Sequence, residues 1–124
     1  MGLTPINLYR FGNAPKLDRV RLFDPNTLSG PKDAIGFAVD PGNGVIEIWV
    51  KGRVSGVSCF RVPGRHFRPR GAQKWWELPA GTAYDDAALY LYSADGDHWY
   101  WAPDHDMRLA EFQQALALLN TSFR

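Results

Sequence analysis

Leu89-Tyr90-Leu91-Tyr92-Ser93-Ala94-Asp95-Gly96-Asp97-His98-Trp99-Tyr100-Trp101-Ala102 reads as two strands folded about a tight reversal. The aromatic runs suit extended backbone, and Asp95-Gly96 supplies the positive φ that a short hairpin turn requires. Successive strand side chains point to opposite faces, so Trp99 and Trp101 share one face and Tyr100 takes the other. At least one face of this hairpin is strongly aromatic. The same reading extends outward. Val45-Ile46-Glu47-Ile48-Trp49-Val50 follows Pro41-Gly42-Asn43-Gly44 and pairs with residues 35–39 as a second hairpin. Residues 6–11, 56–60 and 75–78 add further short strands. The 12 glycines and nine prolines cluster with Asn and Asp at the reversals, so the chain turns often. Leu109, Phe112, Leu116 and Leu119 recur at helical spacing after Asp106, a suitable N-cap. A second helix is expected within residues 18–28. No repeat, low-complexity tract or linker divides the chain, and the expectation is one α+β domain over residues 1–124. Its core is a bent or split antiparallel β-sheet, or two small sheets, with helices at the margins.

The 124 residues are 45% apolar, enough for one buried core and too few for two. Fourteen Lys+Arg against 13 Asp+Glu leave a net charge of +1, so affinity for nucleic acid or an anionic membrane must come from a local patch. Cys59 is the single cysteine, which excludes an internal disulfide and a cysteine-based zinc site and suits a reducing compartment. No apolar run reaches membrane-spanning length. Met1-Gly2-Leu3-Thr4-Pro5 has neither a basic nor an apolar signal region, so any export is expected to use another route.

Several constellations carry chemistry. The segment 61–74 gathers Arg61, Arg65, His66, Arg68, Arg70 and Lys74 among prolines and glycines. It is either a solvated loop or a clamp for anions, since the guanidinium fork fits phosphate oxygens two at a time. Trp49, Trp75, Trp76, Trp99 and Trp101 exceed what a small core needs, and some are free to stack on a planar ligand. Asp104-His105-Asp106 more simply leads into a helix than binds a metal, and no metal site is expected. Ser58 and Cys59 point to opposite faces with no glycine elbow, Asp85-Asp86 and Asp95/Asp97 sit in turns, and no phosphate-binding glycine loop is present.

Leu8-Tyr9-Arg10, Ser55-Gly56-Val57-Ser58-Cys59-Phe60, Trp76-Glu77-Leu78-Pro79-Ala80-Gly81-Thr82 and His98-Trp99-Tyr100-Trp101-Ala102-Pro103-Asp104-His105-Asp106-Met107 occur in that order. Taken jointly, they resemble the small ADP-ribosyltransferase-like toxins of bacterial type VI secretion and their fungal relatives, from Leu8 to about Leu119. The resemblance implies an NAD cleft in which Arg10, Ser58 and His98 do the catalytic work. Tyr9, Arg10, Ser58, Phe60, His98 and Trp99 would contact the cofactor. Tyr9 and Arg10 alternate along their strand, so both enter a cleft only if that strand bends. Related transferases often place a Glu on a late strand. Here that place is held by Ala102, which puts transferase activity in doubt, and Glu77 is the best substitute by location. The resemblance further implies a macromolecular target in a recipient cytoplasm and a cognate immunity protein in the producer. Two other readings stand beside it: a nucleic-acid or nucleotide-binding β-domain using the basic segment and exposed Trp, and a non-enzymatic module binding sugar or protein.

Overall fold

The computed structural model describes residues 1–23, 33–64 and 68–124. In chain order the elements are β1 (Gly2–Leu3), β2 (Leu8–Gly12), β3 (Leu22–Phe23), β4 (Ala34–Val39), β5 (Glu47–Val50), β6 (Val57–Phe60), β7 (Lys74–Leu78), β8 (Ala83–Tyr84), β9 (Leu89–Ser93), β10 (His98–Pro103), β11 (Met107–Arg108) and α1 (Leu109–Asn120). A five-stranded antiparallel sheet runs β7-β2-β6-β10-β9, and a four-stranded sheet runs β11-β5-β4-β3. A two-stranded ribbon joins β1 to β8. Among the described residues this is an α+β arrangement of mostly antiparallel strands with one short helix. Both anticipated hairpins form: β9 pairs with β10 in the register Tyr100 to Tyr92, and β4 pairs with β5 in the register Phe37 to Trp49.

Alternation along the five-stranded sheet decides which residues make the core. Leu8, Val57, Cys59, Leu78, Leu89 and Trp101 lie on one face, each 2% exposed or less, where they join Val50, Met107, Phe112 and Leu116 of the second sheet and α1. The other face carries half-buried Tyr9, Phe11, Ser58, Phe60, Trp75, Tyr92, His98 and Tyr100.

Three sequence expectations change. The pairing of β3 with β4 is parallel, so the sheets are not wholly antiparallel. Leu22 and Phe23 are strand, and residues 18–21 are not helical; residues 24–28 of the expected second helix lie outside the described residues. Asp106 does not cap α1. Met107 and Arg108 stay extended by pairing with Val50 and Trp49, so the helix begins two residues later with Arg108 at its N-cap and no capping side chain. The Asp106 carboxylate instead accepts the Gly52 N–H at 2.8 Å.

Candidate functional site

A cavity of about 230 Å³ lies where the two sheets meet. Ser55, Gly56 and Ser58 at the start of β6 form one side with His98 and Tyr100 of β10, and Arg21 and Asp33, just before β3 and β4, form the other. Its origin is a difference in side-chain size. On the half-buried face, Ser58 pairs across to Tyr100, and Tyr100 to Tyr92, so one hydroxymethyl stands beside a row of large rings. Gly56 keeps the notch open and the strands close. A Cβ there would come within 2.8 Å of the Trp101 backbone.

The rings beside the notch form a column. Phe60 stacks on His98 at 4.4 Å between centroids, His98 on Tyr100 at 4.9 Å, Tyr100 on Tyr92 at 5.3 Å and Tyr92 on Tyr90 at 5.6 Å. Both ends are capped. The Arg53 guanidinium sits 4.2 Å over Tyr90, and Trp75 meets Phe60 edge-on at 5.7 Å. The ring faces are therefore occupied by one another, and a ligand in the cavity meets ring edges and hydroxyls. One edge is chemically unsettled: His98 Nε2 is buried and has no hydrogen-bond partner among the described residues. A buried polar atom in that state costs about 1–3 kcal/mol unless something bonds it.

Of the residues singled out from sequence, Ser58 and His98 come together here and the others do not. Arg10 lies on the face opposite Ser58's side chain. Its Nε donates to the Pro15 carbonyl and its Nη1 to the Ser58 carbonyl, both at 2.6 Å, so it braces β2 against β6 instead of facing the cavity. Trp99 is corrected in the same way. It packs against the core, its indole N–H donating to the Gly96 carbonyl at 3.2 Å, because alternation puts it on the side away from His98. Phe60 enters only through its stack on His98. Tyr9 keeps to the half-buried face and donates its hydroxyl to Glu77 Oε2 at 2.8 Å, and β2 does not bend to bring Arg10 in beside it.

Glu77 stands apart from the cavity. Glu77, Tyr9, Phe60 and His98 are successive cross-strand partners, which puts Glu77 roughly 14 Å from His98 at ~4.8 Å per strand. The Tyr9 hydroxyl and the Arg124 guanidinium hold its carboxyl below the usual carboxylate range, and the same contact raises the Tyr9 phenol. Ala102 shares a face with His98 and Tyr100 yet is 0% exposed, so it leaves no gap in the cavity wall. The carboxylate nearest the cavity is Asp33, which with Arg21 was not legible in the sequence. The two are 12 positions apart and meet only because β3 runs parallel to β4.

In the basic segment, Arg61 pairs with Asp97 at 2.9 Å and Lys74 sits 4.1 Å over the Trp76 ring; Arg65 and His66 lie outside the described residues. None of the five tryptophans is exposed. Among the described residues, no group of three or more His, Cys, Asp and Glu could hold a metal, and no helix is long and apolar enough to cross a membrane. Comparison with protein-family models, curated proteins and solved structures yields no match.

Proposed function

We propose that the chain is an ADP-ribosyltransferase-like toxin domain that binds NAD and modifies a macromolecular target in a recipient cell's cytoplasm. The observation that carries this reading is the cavity that Ser58 and His98, both from the resembling motifs, line together, the buried Nε2 of His98 having no hydrogen-bond partner among the described residues. Its 230 Å³ falls short of the ~300–1,000 Å³ of whole-ligand pockets, so it suits one end of a dinucleotide. The fit is good for a ribose or carboxamide. Imidazole nitrogen and serine hydroxyl each donate or accept, and both ring faces of His98 are fixed by stacking, so Nε2 keeps its direction.

When bound, NAD supplies an electrophilic anomeric carbon and a nicotinamide leaving group. The chain's own part is to hold the ribose through Ser58 and His98. No glutamate lines the cavity, so hydrolysis of NAD by the isolated protein is expected to be slow or undetectable. Export without a cleavable signal and a cognate immunity protein belong to the same proposal and rest on the motif resemblance.

Inducible expression in a bacterium, with NAD titrated against purified protein, tests the reading. Growth arrest that His98→Ala relieves at equal soluble level is expected. Normal growth at high soluble level, with no NAD binding at millimolar concentration, would remove it.

A further inference from the structure

Arg21 and Asp33 form a pair in which the two members have opposite exposure. Asp33 is 5% exposed, and its carboxylate accepts three donors from one residue: the Arg21 backbone N–H at 2.9 Å, Nε at 3.2 Å and Nη2 at 3.1 Å. The Arg21 side chain is 70% exposed. Contact through Nε and Nη2 fixes the plane of the guanidinium and leaves Nη1 without a hydrogen bond among the described residues. A guanidinium pinned along one edge by a buried carboxylate presents its other edge in a fixed direction. Arg10, whose Nη1 reaches the Ser58 carbonyl of β6, is occupied by two carbonyls.

The cavity thus has the Arg21–Asp33 ion pair at one end, with the free edge of the guanidinium exposed, and a neutral polar end at Ser58 and His98. We propose that Arg21, oriented by Asp33, is the anion-binding residue of this cavity and takes the phosphate of a phosphorylated ligand whose uncharged end reaches Ser58 and His98. This deepens the NAD reading and rests on it for the identity of the ligand. Asp33 offsets part of the Arg21 charge, so its contribution is orientation: both its oxygens are held by Arg21. Removing the pinning carboxylate should then weaken anion binding instead of strengthening it.

The test titrates the full chain with ADP-ribose, pyrophosphate and nicotinamide riboside, and follows the Arg21 Nε–H resonance by NMR. In the wild type, ADP-ribose and pyrophosphate are expected to shift that resonance, and nicotinamide riboside is not. Arg21→Gln should weaken ADP-ribose by about 10–100-fold, as expected for charge-assisted bonds to phosphate, and leave nicotinamide riboside within about twofold. Asp33→Asn, which keeps the cation and loosens its orientation, should weaken ADP-ribose severalfold. Equal ADP-ribose affinity in Arg21→Gln and wild type, or an unmoved Nε–H resonance at saturating pyrophosphate, would overturn the assignment while leaving the NAD reading intact. Arg21-dependent pyrophosphate binding without any binding of NAD would uphold the anion site and remove the NAD reading. A single-stranded 12-mer that binds more tightly than ADP-ribose, with steep salt dependence, would overturn the commitment to a small ligand. The NMR arm needs no variant, so the assignment stays falsifiable if Arg21→Gln fails to fold.

Discussion

His98 shows how one side chain can be structurally complete on its faces and incomplete at its edge. Phe60 and Tyr100 cover the ring, and Nε2 has no partner among the described residues. His98→Phe keeps the stack and removes the orphan, so its stability should lie within about 1 kcal/mol of wild type or above it, while ligand binding is lost. Thermal melting and NAD titration check this together; a large fall in melting temperature would mean that Nε2 is bonded in solution. Arg10 calls for the opposite outcome. The resemblance makes it a cofactor residue, but its two 2.6 Å bonds brace the carbonyls of Pro15 and Ser58. Arg10→Ala should therefore destabilise the fold by about 1–3 kcal/mol in denaturant titration, and any loss of activity should follow the unfolding. Stability unchanged with activity abolished would return Arg10 to the site. Sequence reading took Ser58 and His98 from the motif resemblance, and both line the one cavity. It could not find Arg21, since nothing local marks a cation whose partner arrives 12 residues later.

At the scale of an element, β7 is closed at its outer edge by Arg124, whose backbone exchanges N–H and C=O with Glu77 at 2.9 and 2.8 Å. The Arg124 side chain adds two bonds to Glu77 Oε1, at 2.8 and 2.7 Å. The Glu77 carboxyl lies below its ordinary 4.5, the Tyr9 hydroxyl being the larger cause and Arg124 the next. A carboxyl depressed on folding contributes stability above its unfolded pKa and loses it as pH falls through the folded value. The melting difference between wild type and Glu77→Gln should thus be largest near neutrality and close as pH drops below about 4. Arg124→Ala should bring the Glu77 carboxyl back toward 4.5 in a ¹³C titration, and no movement would show that Tyr9 alone sets it. The strands themselves were legible as short apolar runs between Gly, Pro, Asn and Asp turns. The start of α1 was not, because Asp106 is a good cap by residue type but its carboxylate is taken by Gly52, which arrives from the β5 end of the chain.

For the whole molecule, Cys59 gives the simplest report on whether the two sheets and α1 close on one core. It is 0% exposed on the core face of β6, and burial pushes its thiol up to about 12. A thiol reagent at pH 8 should label it only as fast as the protein opens, so labelling should track the global unfolding rate measured in denaturant. Rapid labelling under native conditions would mean that the β6 side of the core opens locally. Composition, turn residues and strand alternation by themselves determined an α+β domain, two hairpins, a C-terminal helix, and the opposite facing of Ser58 and Cys59, because each depends on neighbours within a few residues. The tertiary structure decided the rest. It turned Trp99 to the core, gave Arg10 to two carbonyls, put Glu77 far across the sheet from His98, and set Arg21 and Asp33 against Ser58. Those placements depend on which strands become neighbours, and strand pairing is chosen by the burial of a whole face, a quantity no single stretch of sequence contains.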